Sequence, residues 1–260
     1  MSALLKLDLK APHQVYRNKA GKKLPGVTTV LGDVYAKFPI IRWTGTEERA
    51  GILRFMGSDT WTAKDLDKAL PLNDKGDPRL FSEVKRDRAA DVGTVGHAHI
   101  QAFLAGTILD TDGVDPKLYA EGLVPLGRFE GWWMESELTL VQSEHQMASE
   151  AWQVGGTADV VARAPDGLLE LWDVKTGKPW FSGYPYDEQF AQTAAYADMY
   201  QEVTGEAIAR IRIARVGKTS GDPGQLYTVS SEQRTCGTLL FNSAVRAYYV
   251  KRQLKDLCEA

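Results

Sequence analysis

Two aspartates and one lysine stand in a stretch that otherwise has the composition of a buried β-hairpin. The stretch is GGTADVVARAPDGLLELWDVKTGK, residues 155 to 178, and it contains Asp159, Asp173 and Lys175. The turn signal PDG centres the connection near Asp166, so Asp159 falls close to opposite Asp173. Strand side chains alternate with a period of two, so Asp173 and Lys175 share a face. The three ionisable groups are therefore expected to converge on one patch.

This charged patch needs a partner, because like charges that face each other on paired strands destabilise a sheet. Oxygen ligands with incomplete protein coordination suit Mg²⁺ or Mn²⁺, which accept phosphate oxygens as further ligands. A divalent ion would relieve the repulsion and make a site for phosphodiester chemistry. The alternative is an Asp–Lys ion pair on a solvated sheet face. The apolar residues around the three groups favour the metal site, since unmatched charges there need a reason.

A helix predicted over about 187 to 204 carries a polar stripe. Gln189, Gln192 and Tyr196 lie at i, i+3 and i+7 and share one helical face. These side chains could reach a phosphate or a catalytic carboxylate. The alternative is a solvated helix face with a partly covered tyrosine.

Two histidines lie on an upstream helix predicted over about 83 to 105. His97 and His99 are two positions apart, so their side chains face different directions. His99 falls at apolar spacing and is predicted to be a core histidine. His97 is the candidate metal ligand.

The elements that must position these groups alternate between helix and strand. Helical periods run over about 83 to 105, 116 to 136, 187 to 204 and 232 to 257. Strand patterns occupy about 138 to 144, 153 to 163 and 168 to 176, and also IARIRIARV and QLYTVSS. The order predicts an α/β fold, with α+β as the alternative, in which residues 81–260 form the core and residues 1–80 an N-terminal elaboration.

Composition limits the class of protein. The chain has 260 residues, of which 43% are apolar, enough for one substantial core. Cys236 and Cys258 are too few for a disulfide framework, a Cys-only zinc site or an iron–sulfur cluster. There is no apolar run of membrane-spanning length and no secretory signal pattern. These features predict a cytoplasmic protein without a membrane partner.

The charge distribution is uneven, although the net charge is −3. Residues 1 to 32 are rich in basic side chains, among them Lys19, Lys22 and Lys23. Local basic surface, not net charge, contacts a polyanion. The cluster is therefore either a DNA-binding patch or a solvated face.

The order of these motifs resembles the PD-(D/E)XK nuclease superfamily. The resemblance is carried by Glu144, GGTAD ending at Asp159, LWDVKTGK and QFAQTAAY, and it covers roughly residues 84 to 230. Within the superfamily the chain is similar to the RecB-like exonuclease branch, which includes phage exonucleases and the mitochondrial genome-maintenance exonuclease. Ala158 stands where the superfamily name has proline. The resemblance implies a restriction-endonuclease-like core, with a central mixed β-sheet flanked by helices.

The resemblance also implies roles for the residues of the hairpin. Asp159 and Asp173 would ligate the metal, together with the backbone carbonyl of Val174. Lys175 would orient or activate the attacking water.

Residues outside the hairpin receive roles from the same resemblance. His97, in GTVGH, matches an upstream histidine ligand, and Glu144 matches an acidic position near the metal. Gln192 and Tyr196 match a Gln-x-x-x-Tyr motif that lines the site.

The implied activity is that of a Mg²⁺- or Mn²⁺-dependent deoxyribonuclease with one or two ions. The favoured form is an end-dependent exonuclease that leaves 5′-phosphates and acts in phage or prokaryotic recombination, replication or repair. A phage-encoded protein would work in the host cytoplasm. The substrate would be single-stranded DNA or duplex ends, and a single-strand annealing or binding protein is a candidate partner. The alternatives are a catalytically silent DNA-binding or assembly protein that kept the fold, and a structure-specific endonuclease.

An aromatic loop follows the hairpin in the sequence KPWFSGYPYDEQF. Trp180, Phe181 and Tyr184 lie within a few residues of Lys175. Aromatic rings beside a nuclease site can stack on unpaired bases, so these three are predicted to bind DNA. The alternative is that the loop covers the core.

Overall fold

The computed structural model describes residues 4–7, 9, 14–35, 38–56, 62, 65, 70–73, 75–219 and 221–259. Contacts divide the chain into two compact units. One comprises residues 1–35 with 93–260, and the other comprises residues 36–92.

The strands are short at the N-terminus and longer in the second half of the chain. They are β1 (Leu4–Lys6), β2 (Tyr16–Arg17), β3 (Lys23–Leu24), β4 (Ile108–Asp110), β5 (Thr139–Ser149), β6 (Val154–Arg163), β7 (Leu169–Thr176), β8 (Arg210–Val216) and β9 (Gln225–Val229). The helices are α1 (Val27–Val34), α2 (Phe38–Met56), α3 (Phe81–Ala105), α4 (Pro116–Glu135), α5 (Asp187–Thr204) and α6 (Ser231–Glu259).

The main sheet has five strands in the order β5-β6-β7-β8-β9. All neighbouring pairs are antiparallel except β7 and β8, which run parallel. The parallel pair requires a long crossover, and α5 supplies it. That helix ends at Gly205, whose φ of 81° is the left-handed conformation that glycine adopts readily. The predicted fold class, a central mixed sheet flanked by helices, is confirmed.

The sheet is covered on both faces. The α5/α6 cluster joins α1, α5 and α6 to one face and includes Leu169, Leu171, Phe190, Ile211, Ile213 and Phe241. The α3/α4 cluster covers the other face and includes Ile100, Phe129, Val160, Trp172, Val174 and Val216. Because β7 contributes to both clusters, both of its faces are covered, and the charged residues Glu170 and Asp173 on it are buried.

The N-terminal segment is part of the core of the sheet. Val27, Val30 and Leu31 of α1 are buried in the α5/α6 cluster. The backbone N–H of Gly155 donates to the carbonyl of Pro25 at 2.9 Å, which ties the segment to β6. The sequence predicts a boundary at residue 80, but α1 packs into the core of the sheet and belongs to the same unit as the sheet. The sequence pattern did not identify the apolar face of α1 as a core surface.

The unit of residues 36–92 contains α2 and the first turns of α3. The Glu48 carboxylate accepts hydrogen bonds from the backbone N–H groups of Phe81 (3.0 Å) and Ser82 (2.7 Å). These bonds satisfy donors that a helix start leaves free. Lys85 and Glu47 form an ion pair at 2.6 Å in the same unit. Among the described residues of the whole chain, no helix combines the length and the hydropathy that crossing a bilayer requires.

Candidate metal centre

The hairpin of β6 and β7 separates at the position of the two aspartates. The last paired residues of the ladder are Val160 and Trp172, so the next step would bring Asp159 opposite Asp173. At that step the Asp159 carboxylate instead accepts a hydrogen bond from the backbone N–H of Val174 at 2.7 Å. The side chain of Asp159 therefore lies in the gap between the two strands.

An irregularity in β5 faces this gap. Glu144 has a φ of 50°, which is uncommon for a residue with a side chain. The ladder pairs on either side are Ser143 with Val160 and His145 with Ala158, and they leave Glu144 opposite Asp159. The backbone at this point therefore departs from regular strand geometry.

The alternation of side chains along β6 reverses at the same place. Ala158 belongs to the α5/α6 cluster, whereas Val160, two residues later, belongs to the α3/α4 cluster. Two residues separated by two positions normally share a face, so the reversal occurs at Asp159. This reversal explains how the Asp159 side chain enters the gap between strands.

His97 reaches the gap from α3. Its Nδ1 lies 3.9 Å from Oδ2 of Asp159. One ligand atom from each of His97, Glu144 and Asp159 can be chosen so that all three lie within 4.8 Å of one another. The helix comes close to the sheet at Gly93, where a Cβ would lie 2.8 Å from Oγ1 of Thr176. A side chain at this position would push the histidine away from the carboxylates.

Asp173 and Lys175 approach the gap from the face that α5 covers. Asp173 is 0% exposed, and Lys175 Nζ donates to its Oδ1 at 2.8 Å and lies 2.6 Å from its Oδ2. Apart from this lysine, Oδ2 has no polar partner among the described residues. Asp173 is not one of the three residues whose ligand atoms cluster, because its carboxylate is turned toward the lysine.

Burial and the charge of Asp159 raise the pKa values of Glu144 and Asp173. Burial raises the pKa of Glu144 to about 8, and the charges of Asp159 and Asp173 add to this effect. Burial also raises the pKa of Asp173 to about 6, against the attraction of Lys175. Burial alone would lower the pKa of Lys175, but the Asp173 and Asp159 carboxylates outweigh it and the net pKa is raised. Lys175 therefore carries a positive charge, and this single charge neutralises only part of the negative charge on the carboxylates.

The donor set fits a divalent cation. An imidazole nitrogen and carboxylate oxygens of Glu144 and Asp159 surround the gap. The Asp173 carboxylate, which pairs with Lys175, adds further oxygens beside it. The N–H and C=O of one strand residue point to the same neighbouring strand, so the carbonyl of Val174 faces the gap that its N–H faces. These groups are ligands that Mg²⁺ or Mn²⁺ accepts.

Gln192 and Tyr196 form one wall of this region. Gln192 Nε2 donates to the Tyr196 hydroxyl at 3.0 Å, as their spacing on α5 predicts. Burial, followed by the charge of Asp173, holds the pKa of Tyr196 well above its usual value, so the phenol keeps its proton. The ring packs directly over Gly156, where a Cβ would lie 2.6 Å from Cε1.

The aromatic loop is divided between core and surface. Trp180 is only 5% exposed, and its Nε1 donates to Oε1 of Gln189 at 2.9 Å. Its prediction as a base-stacking residue is wrong, because the ring packs in the α5/α6 cluster. Phe181 is 98% exposed and Tyr184 is 52% exposed, so their rings are accessible and their DNA-binding role stays a prediction.

The remaining predicted residues occupy the surface or the core. Lys19, Lys22 and Lys23 are exposed in and around the β2–β3 hairpin. His99 is buried and packs edge-on against Tyr119, with ring centroids 5.0 Å apart, as expected for a core histidine.

Arg215 braces the site but was not recognised from the sequence. Its buried guanidinium pairs with Asp222 through two bonds of 2.7 Å and donates to the carbonyl of Gly177 at 2.9 Å. Gly177 follows the end of β7, so this contact fixes the strand end that carries Lys175. The sequence feature that could have indicated its role is an arginine inside the mainly apolar strand IARIRIARV.

The sequence matches no family model and no curated protein. Among solved structures, the chain is similar to a protein described as a "putative exonuclease" from Eubacterium rectale, with 14% identity, a TM-score of 0.45, and coverage of 82% of this chain and 83% of the other. It is also similar to an alkaline exonuclease from Laribacter hongkongensis, with 15% identity, a TM-score of 0.32, and coverage of 65% of this chain and 92% of the other. Both TM-scores are below 0.5, so neither likeness defines the chemistry of this site.

Proposed function

We propose that this chain is a metal-dependent deoxyribonuclease that hydrolyses phosphodiester bonds. The observation that carries the proposal is the convergence of His97, Glu144 and Asp159 in the β6–β7 gap, beside the buried Asp173–Lys175 pair. Three carboxylates and a lysine in one largely buried region are costly unless they serve a bound cation.

Each residue has a distinct part in holding the cation. Asp159, Glu144 and His97 would supply ligand atoms, and Asp173 would offer a carboxylate oxygen that faces the Lys175 ammonium in the metal-free protein. A Mg²⁺ or Mn²⁺ ion bound here would lower the pKa of water and neutralise charge on the phosphate. One or two ions are compatible with this number of oxygen atoms.

Lys175 is the candidate catalytic cation of the protein itself. Its ammonium group is held by Asp173 at the edge of the gap, where negative charge develops as water attacks phosphorus. A fixed positive charge at that point stabilises the transition state more than the ground state. The bond from phosphorus to O3′ breaks, which leaves a 5′-phosphate and a 3′-hydroxyl.

Gln192 and the protonated Tyr196 supply polar groups on the α5 side. Their hydrogen bond fixes both side chains relative to each other. They would position either the substrate phosphate or the carboxylate of Asp173.

The finer assignment is an end-dependent exonuclease in recombination, replication or repair of phage or prokaryotic DNA. It rests on the resemblance of the motif order GTVGH, GGTAD, WDVK and QTAAY. A single-strand annealing or binding protein is the proposed partner in that setting.

Digestion of linear and covalently closed DNA tests this function. Purified protein with Mg²⁺ or Mn²⁺ should degrade end-labelled linear DNA, release 5′-phosphorylated products and leave closed circles intact. Nicking or linearisation of the circles would instead support the endonuclease. Failure to cut any DNA with either metal would contradict the proposal.

A further inference from the structure

A basic groove lies beside the N-terminal hairpin and the last turns of α6. It has a volume of about 1110 Å³, and its charged lining residues are Lys22, Lys23, Arg252 and Asp256. Three of the four are basic, although the whole chain carries a net charge of −3. The groove is therefore a local positive region on an acidic protein.

The arginine of this groove differs from its neighbours on α6. Lys251 pairs with Asp33 at 2.8 Å, and Lys255 lies 3.6 Å from Glu259. Arg252 instead lies over the ring of Tyr248, with its guanidinium carbon 4.4 Å from the ring centroid. With the described residues it forms no ion pair. Stacking holds the guanidinium in place while leaving its charge for an anion.

Tyr16 connects the groove to the metal centre. This tyrosine lines the groove, and its hydroxyl lies 2.9 Å from Oγ1 of Thr157, two residues before Asp159. Its ring packs on Gly155, where any Cβ would collide with it. Tyr16 therefore belongs to the wall of the groove and also contacts β6 close to the proposed ligand Asp159.

We propose that this groove binds a few nucleotides of one DNA strand next to the metal centre, with Arg252, Lys22 and Lys23 contacting successive phosphates. The inference rests on the proposed nuclease function. The volume is close to the roughly 1,000 Å³ upper end of small-ligand pockets, which is room for part of one strand. The basic side chains would contribute affinity that does not depend on base sequence.

The salt dependence of binding tests this inference. Fluorescence anisotropy with a labelled oligothymidylate, in EDTA so that no hydrolysis occurs, gives the dissociation constant over a series of salt concentrations. Each phosphate contact on a single strand contributes about 0.7 to the slope of log K against log salt. Arg252→Gln should therefore flatten the slope by about 0.7, and the Lys22→Gln/Lys23→Gln double variant by about 1.4. Lys255→Gln, on the same helix but outside the groove, should keep the wild-type slope.

Three results would overturn the groove assignment. They are a wild-type slope in Arg252→Gln, an equal reduction in Lys255→Gln, and tighter binding of a blunt hairpin duplex that responds to the same variants. Melting temperatures within a few degrees of wild type show that the variants are folded. The binding data do not depend on catalysis. If the slopes change as predicted but the protein never cuts DNA, the groove assignment stands and the nuclease function is rejected. If the protein cuts DNA but the variants keep the wild-type slope, the nuclease function stands and the groove assignment is rejected.

Discussion

Glu144 and Asp173 place carboxyl groups where the protein interior disfavours their charged forms. Lys175 pairs with Asp173, and among the residues that the structure describes Glu144 forms no ion pair. Without metal, Glu144 therefore retains a proton to about pH 8. Metal binding should release this proton, since ligands must be deprotonated.

The metal-free protein should lose stability as the pH rises. The pKa of Glu144 is about 8 in the folded protein against an ordinary value of 4.5. Its contribution is fully present below pH 4.5 and is lost progressively up to about pH 8, because the unfolded chain releases the proton first. In EDTA, calorimetry should show a steeper fall of Tm over this range for wild type than for Glu144→Gln. Parallel Tm curves would contradict the burial of this carboxyl. Mn²⁺ at pH 8 should raise the Tm of wild type.

Lys175 should matter for turnover more than for metal affinity. Lys175→Met removes the positive charge beside Asp173 but leaves His97, Glu144 and Asp159 in place. We expect DNA hydrolysis to fall about a hundredfold or more, as for other transition-state charges, while calorimetry shows Mn²⁺ affinity within a few fold of wild type. The exposed Lys178, replaced in the same way, is the matched control. Loss of Mn²⁺ binding equal to that in Asp173→Asn would assign the lysine to the metal site instead.

At the scale of elements, the sequence predicted the strands and helices of the core well. The hairpin of β6 and β7 and the helix α5 have strong signals, namely a PDG turn, alternating apolar residues and a terminal glycine. The position of Glu144 was predictable only from the family resemblance, because a left-handed glutamate inside a strand leaves no mark in composition or periodicity. The same irregularity turns the Asp159 side chain into the gap, which regular alternation does not predict.

The aromatic loop shows a second limit of sequence analysis. Trp180 and Phe181 are adjacent and chemically similar, yet one is buried and the other almost fully exposed. The difference arises from the partner Gln189 on α5, which accepts the hydrogen bond of the indole. Such a contact depends on the tertiary fold and has no local signal.

Gly156 should be required for the packing of α5 on the site. In Gly156→Ala the added Cβ would lie 2.6 Å from Cε1 of Tyr196, so the ring must move and its bond to Gln192 is disturbed. Overpacking of this kind costs about 1–3 kcal/mol, and DNA hydrolysis should fall with it. Gly127→Ala, on α4 with nothing within 4 Å of the added atom, should be neutral or stabilising. Denaturant unfolding measures both, and a fully stable, active Gly156→Ala would contradict the packing.

At the scale of the whole molecule, residues 27–34 belong to the folding unit of the sheet. Leu31 is 4% exposed in the α5/α6 cluster. Leu31→Ala should lower the free energy of unfolding by about 2–5 kcal/mol, whereas Leu239→Ala, at a side chain 61% exposed, should stay near wild type. If the N-terminal segment were a separate elaboration, the main unfolding transition would not respond to Leu31→Ala.

The central claim is that the carboxylates in the β6–β7 gap hold a cation for phosphodiester hydrolysis. Its most direct test is the rate of Mg²⁺-dependent digestion of end-labelled linear DNA by Asp159→Asn, beside Asp112→Asn at an exposed aspartate. Asp159→Asn relieves charge repulsion in the metal-free protein, so it should fold and melt at or above the wild-type temperature. We predict that it loses hydrolysis in both Mg²⁺ and Mn²⁺ while Asp112→Asn retains it. Wild-type rates in a folded Asp159→Asn protein would contradict the claim.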